Sequence, residues 1–490
     1  METKKSREQE KTPFLDAYKA YLESDPVPFD VPGHKLGNFE TDLSRKLSPC
    51  FSKYDANAPI GLDNLYHAKG VIKEAEDLAA KACHADHCLF SVNGTTGAIL
   101  TRFRSTLHAK DKVIRPRNIH KSVVNGLILS GATPIFVNPF IDEELGVACQ
   151  RRRDDLIKAR DENKDAKAVF IINPTYFGVT SDLKKIVEEA HNRNRIVRCD
   201  EAHGSNFYFS SKLPVSARQA GADITARSRH KNSGSLTQTS LLLVKGKRID
   251  RFEVKRAFAR FSSTSPYHPL MASLDAARKE RALHGKEILD RCLELSKYAR
   301  EHLNKIPGIH VYDKDYIKKW NTTGVFDIDL TKLVIDVRGL GRFGYDVYKE
   351  IRKESNIQLE LGEVSVVLAI VGPGTTKEHI DRLIQAFERL SKEHYKEGKK
   401  LSVLRYRYTY PIRRRIPRTA YDAPYKILPL KDAVGEIAEE TIRAYPPGIP
   451  IILPGEEISK DTITRINFYR REKGQILKDT KEGCIKVVVR

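Results

Sequence analysis

Two spacings of apolar residues alternate along the first half of the chain. Residues 70–82 place Val71, Ile72, Ala75, Leu78, Ala79 and Ala82 three or four positions apart, which predicts a helix with one apolar face. Short apolar runs of strand length then follow, LFSV, KVIRP, PIFVNP, AVFIINP, RIVRCD, ADITA and SLLLVKG, with helix-like segments between them. Such alternation predicts a mainly parallel sheet covered by helices, hence an α/β domain over residues 61–250. An N-terminal arm precedes it at 1–60, with a short helix FLDAYKAYLE and the turn-rich VPFDVPGHKLG. Residues 251–395 open with a long helical pattern and later carry the strand candidates KLVIDV and VSVVLAIVG, a smaller α+β domain. A basic linker at 396–417 leads to a C-terminal domain at 418–490, with a helix expected over EIAEETIRAY and a rigid turn at YPPGIPIILPGEE.

Composition narrows the setting. At 490 residues with 40% hydrophobic content the chain can bury several cores. No apolar run approaches the roughly 20 residues that span a bilayer, and METKKSREQEK lacks the core of a secretory signal, so a cytoplasmic protein without membrane contact is expected. The seven cysteines are scattered and odd in number, as reduced thiols would be; even the cluster CHADHC, at 83–88, lacks a second Cys/His pair at zinc spacing, and no metal is expected. The net charge of +21 is unusual and raises nucleic acid as a partner, most of all for the tyrosine-interleaved basic tract at 392–418.

Candidate chemistry sits where the apolar runs end, the edge at which open α/β sheets hold ligands. SVNGTTGAI, at 91–99, ends a strand in a Gly/Thr turn that opens a helix, and Gly94, Thr95 and Thr96 suit a phosphate there. RPRNIHKSV places His120 just past a strand, where its flat ring can stack on an aromatic ligand. IINPTYFGV supplies a third turn-rich loop, and RCDEAHGSN sets Asp200 and His203 at the end of a fourth strand. SRHKNSGSLTQTS, at 228–240, adds Ser228, His230 and Lys231. The DEAH tetrad alone suggests a helicase, but no GxxxxGK[ST] loop exists, and no GxGxxG supports a dinucleotide site. A phosphate cradle, a strand-end aspartate and a later loop lysine suit pyridoxal 5'-phosphate: the lysine forms a Schiff base and the carboxylate keeps the pyridine nitrogen protonated.

With these motifs the chain resembles the prokaryotic Orn/Lys/Arg decarboxylases, pyridoxal-phosphate enzymes of fold type I. VPGHKLG, SVNGTTGAI, RNIHKSV, NPTYFGV, DEAHG, the HK and SLTQTS segments, MASLDAAR and YPPGIPIILPGE carry the resemblance over nearly the whole length. It implies an aspartate-aminotransferase-like large domain, a homodimer or larger homo-oligomer, and decarboxylation of a basic amino acid in polyamine biosynthesis. Arginine, giving agmatine, is favoured over lysine and ornithine. Residue by residue it implies Lys231 as the Schiff-base lysine, Asp200 beside the pyridine nitrogen and His120 stacked on the ring. Gly94, Thr95, Thr96, Ser228 and His230 would reach the phosphate, His203 would lie beside the ring, and His230 or Lys231 would return a proton to Cα. Glu360 and Glu363, in LELGEVS, are candidates for the substrate's distal cation.

Four positions depart from the family's pattern. Arg229 stands at the small or apolar position before HK, Asn232 follows Lys231, Asn206 replaces a histidine after DEAHG, and Arg198 puts a charge in a strand that is normally apolar. Another pyridoxal-phosphate reaction, such as transamination or a lyase step, and a noncatalytic nucleic-acid-binding or regulatory protein are the alternatives. Arg418 matches an arginine of the family's C-terminal segment without an assigned role.

Overall fold

The segment with helical spacing is the helix Val71–Ala82, which buries Ile72, Ala75, Leu78 and Ala79. The structure is a computed structural model and describes the chain except residues 1, 40–41, 48–49, 58, 143–144, 146, 151–152, 321–322, 402–408, 446–448, 472–474 and 490. Two compact units make it up: residues 1–106 with 198–289, and residues 107–197 with 290–490.

In the first unit His87–Ser91 pairs antiparallel with Ser240–Val244, which pairs antiparallel with Ile224–Ser228. The last of these runs parallel to the end of Ile196–Asp200, with Arg198 opposite Ile224 and Asp200 opposite Ala226. Ile224–Ser228 and Ser240–Val244 are buried at every position, and Leu241–Val244 accordingly reads as a continuous apolar run rather than an alternating one. Helix Gly94–Thr106 buries Ala98, Ile99 and Phe103 and packs on helix Arg251–Phe261. The N-terminal arm is held in this unit. Asp275 accepts from the Phe14 backbone at 3.1 Å, Arg278 donates to the Gln9 carbonyl at 2.6 Å, and Phe14 is fully buried.

In the second unit Lys112–Pro116 lies parallel to both Thr133–Val137 and Ala168–Ile172. These pairings, and the parallel one in the first unit, give the mainly parallel α/β architecture that the alternation predicts. KLVIDV and VSVVLAIVG form the antiparallel strands Lys332–Asp336 and Val366–Ile370. The C-terminal residues have a core of their own around Ile442, Ile451, Ile452, Ile458, Ile485 and Val487.

One expected helix is absent. Within 436–445 the structure has the strand Ile442–Tyr445, paired on both sides, and no helix before it. The cause is Glu440: its buried carboxylate accepts from the backbone of Asp479, at 2.7 Å, and of Lys486, at 2.8 Å. A residue whose side chain is committed to neighbouring strands has no solvent face to offer a helix. The middle of the basic linker, 402–408, and residues 446–448 of YPPGIP lie outside the described residues. The six described cysteines are free thiols, and no described helix is long and apolar enough to cross a membrane.

Candidate active site

Three segments of the first unit meet at the ends of its strands. Lys231 follows strand Ile224–Ser228 on a turn, half-buried, and its Nζ lies 2.7 Å from Nε2 of His203. That histidine belongs to the turn after Ile196–Asp200 and is itself fixed, because Asn232 donates to its backbone carbonyl at 3.2 Å. Arg281 in turn holds the Asn232 carbonyl at 2.7 Å. A lysine amine within hydrogen-bond reach of an imidazole nitrogen can exchange a proton with the ring and attack a carbonyl.

Asp200 is 5% exposed, and its Oδ1 accepts from the Ala202 backbone at 3.2 Å. The other carboxyl of the same turn, Glu201, turns into the core. Tyr208 donates to it at 2.5 Å and the Ala217 backbone at 2.6 Å, and burial pushes its pKa up to about 7. DEAHG thus carries two acids with separate tasks, and the sequence reading missed the second. Its signal was an acid continuing an apolar strand end.

The turn that opens helix Gly94–Thr106 is tied to the last strand: the Gly94 backbone donates to the Gln238 carbonyl at 2.7 Å, and Thr95 Oγ1 lies 3.2 Å from Ser240 Oγ. Gly94 has φ +65, and a Cβ there would meet nothing within 4 Å, so the helix N-terminus faces open space. Thr96 is exposed beside it. Ser228, fully buried, lies 3.1 Å from His230 Nδ1, which also lies 3.1 Å from the Thr239 carbonyl. An amine, a strand-end carboxylate and a helix N-terminus with threonine hydroxyls form the donor set that pyridoxal 5'-phosphate needs, and these residues fit it.

His120, Glu360 and Glu363 belong to the second unit. His120 is exposed and caps helix Lys121–Ser130, its Nδ1 accepting from the Ser122 backbone at 3.2 Å. The loop leading to it is anchored by Arg117, which is 2% exposed and pairs with buried Glu456 at 2.6 Å. Burial pushes both groups toward their neutral forms against this attraction, and Glu456 rises to about 7. Sequence reasoning missed this pair, although RPRNIH and LPGE both stood among the quoted motifs. Arg418 acquires a role: it donates to the carbonyls of Ile128, at 2.6 Å, and Leu129, at the C-terminal end of that helix. Glu360 takes the hydroxyl of Tyr176 and lines a cavity of about 330 Å³ with Gln358, His379 and Arg382. Glu363 is buried, accepts from Tyr345 at 2.8 Å, and is pushed up to about 7 by burial.

Of the departing residues, Arg198 and Arg229 are buried in the first unit with the apolar strands, and Asn206 is fully buried. Asn232 has a task at the site, its grip on His203.

Comparison with known proteins bears on the whole chain. Residues 12–378 match the Orn/Lys/Arg decarboxylase major domain, and residues 416–475 match the C-terminal domain of the same enzymes. An arginine decarboxylase of Bacillus subtilis is 39% identical over 484 residues, 98% of each chain. Another, of Halalkalibacterium halodurans, is 39% identical over 473 residues, 94% of each. Among solved structures, the lysine decarboxylase LdcF of Francisella novicida aligns with TM-score 0.84 at 20% identity, covering 97% of this chain and 81% of that one.

Proposed function

The chain belongs to the Orn/Lys/Arg decarboxylase family, and we propose that it converts arginine to agmatine and CO2 with pyridoxal 5'-phosphate. The observation that carries the choice of substrate is the near-complete, 39% identical match to arginine decarboxylases, against 24% for the constitutive ornithine decarboxylase of Escherichia coli. When bound, the cofactor supplies an electron sink for the pair left behind as CO2 departs.

The residues divide that work. Lys231 Nζ would hold the cofactor, with His203 Nε2 placed to take and return the lysine's proton across the 2.7 Å contact. Asp200 keeps a positive charge on the ring nitrogen. Gly94, Thr95 and Thr96 offer amides and hydroxyls to the phosphate, and Ser228 and His230 reach it from the lysine turn. His120 is the residue assigned to stack on the cofactor ring. His230 or Lys231 returns the proton to Cα, and Glu360 and Glu363 are the carboxyls assigned to the guanidinium end. The enzyme works as a cytoplasmic homo-oligomer, with the large domain at 61–250, the small domain at 251–395 and the C-terminal domain after the basic linker.

Purified protein loaded with the cofactor and given arginine, lysine and ornithine separately tests this reading. Agmatine is expected to form fastest, identified by mass spectrometry. Faster cadaverine or putrescine reassigns the substrate, and no amine from cofactor-loaded protein overturns the proposal.

A further inference from the structure

Nine of the twelve bulkiest fully buried side chains are arginines: Arg102, Arg115, Arg117, Arg198, Arg218, Arg227, Arg229, Arg278 and Arg281. Two of these are built as buried charges should be, since Arg117 pairs with Glu456 at 2.6 Å and Arg278 with Asp275 at 2.7 Å. Among the described residues, Arg218, Arg227 and Arg229 make no ion pair, and all three guanidinium nitrogens of Arg218 are buried with no hydrogen-bond partner. Its nearest carboxyls are engaged elsewhere, Glu201 by Tyr208 and Ala217 and Asp223 by Arg248. Arg229 makes one hydrogen bond, to the Ala277 carbonyl at 2.9 Å, and leaves two nitrogens unsatisfied. Arg227 meets the Ser205 carbonyl and Cys83 Sγ, and its guanidinium lies 3.9 Å from the centre of the Tyr208 ring.

Arg227 and Arg229 also stand two residues apart in extended chain, so they share a face and repel one another. Taking an ion from water without a carboxylate partner consumes a large part of a domain's whole folding free energy, and the hydrogen bonds and the ring contact made by Arg227 and Arg229 offset only part of it. Methionine has the same four-atom unbranched stem as arginine's Cβ to Nε, is apolar, and favours sulfur contacts with aromatic rings. It occurs only twice in 490 residues, at Met1 and at Met271, which is fully buried. Buried arginine in excess and methionine missing from the core are complementary anomalies.

We infer that the folded protein carries methionine at positions 218, 227 and 229, where a codon that the standard code reads as arginine is translated as methionine in its own cell. The residue two positions before the lysine of the active-site turn is then apolar, and the charge at position 229 disappears. Arg117 and Arg278, with their carboxylate partners, remain arginine.

Tryptic mapping of the enzyme isolated from its own cells tests the inference, since trypsin cleaves after arginine and not after methionine. Cleavage is expected after Arg117 and Arg278 and absent at 218, 227 and 229, with peptides across those positions showing the methionine mass. Peptides ending in arginine at the three positions overturn it. In the gene, the three are expected to share a codon used at neither Arg117 nor Arg278; the same codon at either of those also overturns it. In a host with the standard code, the Arg218→Met, Arg227→Met, Arg229→Met triple variant is expected to unfold at a Tm higher by roughly 10 °C than the arginine chain. An equal or lower Tm counts against the inference, whatever the substrate of the enzyme proves to be.

Discussion

Lys231 and His203 come from different strands, yet their nitrogens stand 2.7 Å apart. A lysine serves as a nucleophile only if some neighbour accepts its proton, and this imidazole is the group in place to do so. Replacing the lysine, Lys231→Ala, is expected to lower kcat by about 10³-fold or more and to abolish the label fixed on the protein by borohydride reduction in the presence of cofactor. His203→Gln leaves the lysine and removes its proton acceptor. The expectation there is a loss of about 10²-fold in kcat with the borohydride label retained. A variant that loses the label as well would place His203 in cofactor binding instead of proton transfer.

Elements of secondary structure set those residues, and one connection is open to test without touching the site. Arg418 holds two carbonyls at the end of helix Lys121–Ser130, whose other end His120 caps. Gly131 permits it: with φ +67 it turns the chain, and a Cβ there would come within 2.9 Å of the Arg418 guanidinium. Arg418→Ala is expected to cost about 1–2 kcal/mol, read as a lower urea midpoint, because helix-end carbonyls lose a charged donor. The sequence disclosed this region unevenly. Every apolar run of the first half became a strand, since burial on both faces leaves a contiguous apolar signature, and the strand-end loops named Asp200, His203 and Lys231. Contacts between distant residues left no such trace. Arg117 and Glu456 lie 339 positions apart, and neither gives any sign alone that the other neutralises it. The misread helix at 436–445 has the same origin, because what makes Glu440 a strand-region residue is the backbone of Asp479 and Lys486.

Among the described residues, burial raises four carboxyls furthest toward their neutral forms: Glu76, pushed up to about 8, and Glu201, Glu363 and Glu456, each pushed up to about 7. Each binds its proton more tightly in the folded chain than at its ordinary value of 4.5, so the folded state holds protons that the unfolded state has released. Stability from this source is complete below about 4.5 and is lost as pH rises through 7 to 8. His268 acts in the opposite sense. Burial lowers it from 6.5 to about 4, so its contribution is present above 6.5 and fades as the solution becomes more acid. The two tendencies oppose one another below pH 6.5, and above it the carboxyls act alone among these five groups. Between pH 6.5 and 8 the Tm is therefore expected to fall, at order 1 kcal/mol of stability per pH unit for each carboxyl still titrating. Glu76 isolates the effect: it is 1% exposed and accepts from the Phe90 backbone at 2.8 Å, a hydrogen bond that an amide oxygen accepts equally well. In Glu76→Gln the decline toward pH 8 should be shallower than in the parent, measured by thermal melts across that range. An unchanged slope would mean that Glu76 is ionised in the folded chain and that its charge is met within the core.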